Sequence, residues 1–289
     1  MTELAFFCPV SDGRVMPTHF SRSLWAPGTL NGPAVCAIAA HHTEVEFAET
    51  GFRPARFTVD MFKAALDLPT SMRSRLVRSG GRIRVAEVDV FQHPADGEEV
   101  LAARATTVYL RESQNPPGQR WTRPDSAVSF VPPAETTDDL MPFFATDPAD
   151  APFGGVPAGE WTREIGSHQT ATRKRLWAAA APAVAGEPLT PFVQAAISAE
   201  STSLVCNWGS TGIGFINCDL TMALSRLPRG TRIGIEADSH TEHDGISVST
   251  AGLYDADGMF GTGMVTAVNN AAAQIDFTTV DSGARYREA

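Results

Sequence analysis

Two stretches, G-R-I-R-V-A-E-V-D-V-F at 81–91 and D-G-I-S-V-S-T-A-G-L-Y at 244–254, decide how this chain is read. One offset of 163 residues lays Ile83 on Ile246, Val85 on Val248, Val90 on Leu253 and Phe91 on Tyr254. Each run is followed by an Asp-Gly turn, Asp96-Gly97 and Asp257-Gly258. Each turn leads to a second run, ending T-T-V at 106–108 and V-T-A-V at 265–268. The same offset lays Phe57-Thr58-Val59 on Leu220-Thr221-Met222. Self-similarity at a fixed spacing means a duplicated unit. The seam between two like units is a natural place for a ligand.

Working outward, each copy reads as a helix followed by antiparallel strands. Ala34–Glu46 is apolar and rich in alanine, which favours a helix. Thr29 or Asn31 can cap it, and Pro33 suits its first turn. Strands are expected at Phe57–Ala64 and Ser71–Arg78, then in a hairpin built from 82–92 and 99–110. In the second copy, Thr190 caps a helix that opens on Pro191 and runs to about Cys206. Strands at 213–222, 231–240, 246–254 and 259–269 follow. The layer arrangement is α+β, each unit a long helix wrapped by a curved antiparallel sheet. The boundaries are an N-terminal unit at 1–110, a Pro- and Asp-rich linker or crossover at 111–150, and a C-terminal unit at 151–289. The polar tail 280–289 is expected to fray.

Composition narrows the function classes. The 289 residues are 43% hydrophobic and 19% charged, and the net charge is −10. An acidic chain argues against nucleic-acid binding, which needs a basic face. Arg73, Arg75, Arg78, Arg82 and Arg84 form one local basic stretch. It reads as solvated edge charge or as a landing site for a phosphorylated ligand tail. The four cysteines at 8, 36, 206 and 218 show no metal spacing, so no metal or cofactor is expected, and they suit a reducing cytoplasm. No apolar run reaches the ~20 residues needed to span a bilayer.

Other motifs yield little. His41 and His42 point to different helix faces. His240, His243 and Asp244 fall at a hairpin tip and read as surface groups rather than ligands. Ser210 in W-G-S-T-G lacks the strand-turn-helix context of a nucleophile elbow. Gly209, Gly212 and Gly214 precede no helix, so they cradle no phosphate.

L-N-G-P-A-V at the start of the first helix, R-F-T-V-D-M-F in the next strand, and N-C-D-L-T-M-A-L-S-R-L-P at 217–228 resemble the double hot-dog acyl-CoA thioesterases. The nearest likeness is to the type II group and its actinobacterial thioesterase-like relatives, over roughly 25–110 and 155–270. The resemblance implies hydrolysis of fatty acyl-CoA to fatty acid and CoA by activated water. It places the chain in lipid metabolism, in the cytoplasm, as a homodimer or higher homo-oligomer. The family's aspartate falls at or beside Ala199-Glu200, which makes Glu200 the available acid, its threonine falls on Asn217, and its glutamine falls near Val265, with Thr266 beside it. Glu200, Asn217 and Thr266 are therefore the implied catalytic set. Asn31 and Gly32 offer amides to the thioester carbonyl. Val265 and Arg82 are further substrate-binding candidates. Asp219 and Arg226 are structural candidates, either as an ion pair or with Asp219 bonded to loop amides. The second reading is a binding protein that keeps the acyl-CoA groove and has lost catalysis.

Overall fold

A computed structural model describes residues 4–122, 130–134, 137, 139–149, 159–281 and 283–287. In chain order the first half gives β1 (Phe7–Pro9), β2 (Val15–Pro17), α1 (Gly32–Phe47), β3 (Phe52–Met61), β4 (Thr70–Ser79), β5 (Ile83–Gln92) and β6 (Val100–Arg111). Next come β7 (Phe143–Thr146), β8 (Lys174–Ala179), α2 (Pro191–Glu200), α3 (Thr202–Asn207), β9 (Trp208–Gly209), β10 (Gly212–Ile213) and β11 (Phe215–Asn217). The chain closes with β12 (Asp219–Leu224), β13 (Arg232–His243), β14 (Ile246–Asp255), β15 (Gly258–Asn269) and α4 (Ala284–Arg287). β7 lies inside the stretch expected to connect the units. Parts of that stretch, and residues 282, 288 and 289 of the tail, lie outside the described residues.

The repeat becomes strands in matching places. β5 and β14 begin and end 163 residues apart. One antiparallel sheet runs β1-β2-β4-β5-β6-β3-β12-β15-β14-β13-β8-β7, with β11 beside β15. Each half contributes a four-strand block, and the blocks join edge to edge through β3 and β12. There Thr58 faces Thr221, Val59 faces Leu220 and Phe57 faces Met222. Residues related by the sequence repeat thus cross-pair about one point. An approximate two-fold axis passes between the two threonines, as in an isologous dimer interface. Joining the blocks removes two exposed sheet edges at once.

The strands alternate as a half-buried sheet must. In β5, Ala86, Val88 and Val90 are buried while the residues between them are partly exposed. That inner face lies against α1. The helix buries every residue from Ala34 to Ala40, a run rich in alanine that lets it sit among close neighbours. α1 packs on α2, and the Phe57 and Phe192 rings meet edge to face at 5.9 Å between β3 and α2.

Both helix starts match the sequence reading. The Asn31 side chain accepts from the Ala34 amide and that of Thr190 from the Val193 amide, each with a proline in the first turn. The second helix departs from expectation. It stops at Glu200 instead of continuing unbroken to Cys206: Ser201 takes ψ near −2°, and α3 follows from Thr202. β15 presses on that corner. A Cβ at Gly263 would lie 2.1 Å from Thr202 Oγ1 and 3.3 Å from the Ala199 carbonyl.

The expected strand 213–222 is likewise divided. Asn217 faces Ala267 on β15, but Thr221, four residues on, faces Met264, three residues back. The extra residue is a bulge between β11 and β12, a device that re-aims a side chain. The tail is not simply frayed either, since Tyr286 packs on the core.

Candidate active site

The start of α1 is tightly built. Asn31 Oδ1 accepts from the Ala34 amide at 2.9 Å, while its Nδ2 donates to the carbonyls of Phe20 and Arg22 at 3.1 and 3.2 Å. Pro33 has no N–H to offer. The Gly32 amide, at the first helical position, has no acceptor within the helix.

Glu200 meets this helix start from the other half of the chain. A Cβ built on Gly32 would fall 1.9 Å from Glu200 Oε1 and 2.4 Å from Cδ. Only glycine lets the carboxylate come so close. Glu200 is 8% exposed. Burial pushes its pKa up to about 7, while Asn217 and, more weakly, Arg285 pull it down. The positive end of α1 also favours the ionised form. Nearby Cys36 is fully buried, and that burial, with Glu200 beside it, raises its thiol well above the ordinary range.

Asn217 Nδ2 donates to Glu200 Oε1 at 3.2 Å and to the Asp219 carbonyl at 3.2 Å. The bulge thus serves the site by turning Asn217 toward the carboxylate. Asp219 anchors the bulge by accepting from the Thr266 amide at 2.6 Å and the Thr266 hydroxyl at 2.7 Å. Of the two roles open to Asp219, it takes the bond to a backbone amide. Arg226 pairs elsewhere, holding Asp255 at 2.5 and 2.7 Å. The ion pair between Asp219 and Arg226 is therefore absent.

Glu200, Asn217, Asn31 and Gly32 all line one cavity of about 870 Å³ at the seam. Its walls are largely apolar, with Phe20, Trp25, Met61, Phe144, Leu176, Ile197 and Phe277 among them. The remaining candidates stand apart from it. Thr266 bonds to Asp219 and lies behind Asn217, outside the wall. Val265 is 1% exposed and belongs to the core. Arg82 sits on the exposed β4–β5 turn. In the same basic stretch, Arg73 pairs with Glu99, Arg75 with Glu87 and Arg84 with Glu49, so these three act as ion-pair partners.

The approximate two-fold produces a second helix crossing, and it is built differently. There Thr190, the cap of α2, donates to Glu44 of α1, and His41 lies 3.0 Å from Glu187. Burial raises the Glu44 pKa. None of these residues borders the cavity. Of the two crossings, only the one holding Glu200 opens onto it.

Sequence reasoning missed the cavity's last wall. Asp281, Ala284, Arg285 and Tyr286 line it, and the polar tail gave no periodic signal to announce them. His240 bonds Ser249 and Glu242, and His243 and Asp244 are almost fully exposed. Among the described residues no group of His, Cys, Asp and Glu is arranged to hold a metal. No described helix is long and apolar enough to cross a membrane.

A buried carboxylate whose pKa burial raises, a helix start and a largely apolar cavity are gathered at one place in the seam, the composition expected of a small-molecule site. Comparison with known proteins gives the chain a family. The family model described as the acyl-CoA thioesterase N-terminal domain matches residues 21–109, and that of the C-terminal domain matches 124–267. The chain belongs to the acyl-CoA thioesterase family.

Solved structures share the fold at low identity. A hot-dog protein from Alicyclobacillus acidocaldarius superposes with a TM-score of 0.60 at 15% identity, covering 90% of this chain and 94% of that one. An acyl-CoA thioesterase II, TesB2, from Mycobacterium marinum gives 0.58 at 14%, covering 91% and 95%. A tesB protein of Mycobacterium avium subspecies paratuberculosis gives 0.57 at 11%, covering 91% and 95%. No curated protein matches.

Proposed function

We propose that this acyl-CoA thioesterase cleaves fatty acyl-CoA with water activated by Glu200. One observation carries the reading: a buried carboxylate lies against the first residue of α1, in the wall of an apolar cavity at the seam. The acyl chain occupies the apolar part, and the thioester carbonyl lies at the helix start. Glu200 takes a proton from water as the oxygen attacks the carbonyl carbon. The Gly32 amide and the α1 dipole stabilise the developing oxyanion, a contribution worth ~10²–10³ in rate for a single donor. Collapse breaks the C–S bond, and the proton on Glu200 goes to the leaving CoA sulfur. Asn217 holds Glu200 and the water in line. Thr266 acts at one remove, through Asp219.

The two units are taken as residues 1–110 and 151–289, each a hot-dog layer around its own central helix, with 111–150 between them. A cytoplasmic homo-oligomer fits the family and the apolar outer face of β14 and β15, where Ile246 and Val268 are 59% and 51% exposed. Sedimentation of the purified chain measures the assembly.

The test is CoA release from acyl-CoAs of increasing chain length, with Glu200→Gln as the control. Hydrolysis by the wild type that falls at least ~100-fold in the variant supports the reading. Saturable acyl-CoA binding without release would instead make the protein a binder.

A further inference from the structure

The last described element, α4, joins no sheet. It lies against the turn His19–Ser21, just ahead of α1. Arg285 Nη2 donates to the Arg22 carbonyl at 2.6 Å. Asn31 Nδ2, in the cap of α1, donates to the same oxygen at 3.2 Å. Arg285 and the cap at the active site thus share one acceptor. The Arg285 guanidinium also lies over the Phe20 ring, 5.7 Å from its centre, and Tyr286 meets that ring edge-on at 5.7 Å. Both residues border the cavity that holds Glu200.

Among the described residues, three act on the Glu200 carboxylate or are acted on by it: Asn217 from β11 by a hydrogen bond, and Cys36 from α1 and Arg285 from α4 by charge; His19, Arg22, Lys63, Arg163 and Asp281 also line the cavity. Asn217 is neutral, and the Cys36 thiol is held protonated by its burial. Arg285 is the one cation of the three.

Resting on the hydrolytic reading above, we propose that Arg285 is a positioning residue of the active site. The C-terminal segment carries its guanidinium to the start of α1, opposite Glu200, and Tyr286 closes the cavity wall behind it. α4 thereby completes a site whose other parts come from α1, α2 and β11. A cation beside a carboxylate favours its charged form, which is the form that can accept a proton from water.

The experiment is the pH dependence of kcat/KM for the full-length wild type, Arg285→Gln and Arg285→Lys, with Glu200→Gln as reference. Arg285→Gln moves the acidic limb upward by about one pH unit, which is about a tenfold loss below the limb. Near pH 9, turnover returns to within about threefold of wild type, because Glu200 is then ionised without help. Arg285→Lys restores the limb, since the charge is kept.

A limb that coincides with wild type in Arg285→Gln overturns the inference. So does Arg285→Lys behaving like Arg285→Gln. If Arg285→Gln loses its cooperative melt, Arg285→Met supplies an unbranched apolar side chain against Phe20 and carries the same expectation. Glu200→Gln separates the two readings. Wild-type turnover in that variant sinks the hydrolytic site itself, whereas lost turnover with an unmoved Arg285→Gln limb sinks only the role of Arg285.

Discussion

On the proposed mechanism, Glu200 is where function and stability pull apart. Its pKa in the folded chain, about 7, stands above the ordinary 4.5, and burial is the main cause. The fold therefore prefers the protonated acid. That preference costs nothing below pH 4.5, grows through the interval up to 7, and levels off above it at about 3 kcal/mol. Glu200→Gln keeps the shape and removes the charge. It should melt several degrees above wild type at pH 8 and close to it at pH 4.5, while CoA release is lost; equal melting at pH 8 would contradict the buried-charge account. Gly32→Ala makes a complementary test. The added methyl meets only the far end of the Glu200 side chain, so the carboxylate swings aside and the fold survives. Turnover should fall at least tenfold with a melting temperature within ~2 °C of wild type, because a 1 Å misplacement is costly to catalysis. Asn217 and Glu200 were legible in the sequence through the resemblance alone, and their mutual hydrogen bond was not. Nothing local in N-C-D reports that the strand bulges there. The pairing that creates the bulge is with β15, some 50 residues away.

Elements with strong local signals came through the sequence well. Asn31 and Thr190 cap their helices because each oxygen can reach an amide three residues on, and a following proline fixes the first turn. The Asp-Gly turn at 257–258 closes its hairpin as expected, with φ +102° at Gly258. The corner between α2 and α3 did not come through, because no residue in A-E-S-T-S-L breaks a helix by propensity. At the break, β15 packs close, and its Gly263 leaves room for Thr202 where a Cβ would not. Gly263→Ala should therefore destabilise the chain by about 1–3 kcal/mol, the usual result of overpacking. Because α2 ends on Glu200, the same change should also lower CoA release at temperatures where the variant is fully folded. Destabilisation with unchanged kcat would mean that the corner holds the core and not the carboxylate. The tail failed for a related reason. Tyr286 and Arg285 form no periodic pattern with their neighbours, and they touch Phe20 and Arg22, some 260 residues earlier in the chain.

At the scale of the whole molecule, duplication supplied two helix crossings related by the axis at Thr58 and Thr221, and the two have diverged. In one, Gly32 leaves space for Glu200, and the cavity opens beside it. In the other, the space at the start of α2 is taken by the Thr190–Glu44 hydrogen bond and the His41–Glu187 contact. The sequence repeat predicted the seam but not which end of it is hollow, since that depends on side-chain volume at two helix starts. The asymmetry sets an expected stoichiometry of one acyl-CoA per chain. It also sets an expected contrast between two buried carboxylates. Glu44→Gln should leave kcat/KM within about twofold of wild type. Its raised pKa implies the same pH signature as Glu200: a penalty absent below the ordinary carboxylate range and growing above it, so the variant gains stability at pH 8 relative to pH 4.5. The weakened Thr190 contact works against that gain, because a neutral amide accepts a weaker hydrogen bond than a carboxylate. Titration with a non-hydrolysable acyl-CoA analogue reads the stoichiometry directly. Two equivalents per chain, or a Glu44→Gln variant as impaired as Glu200→Gln, would mean that the second crossing is also a working site and that the divergence between the halves has another cause.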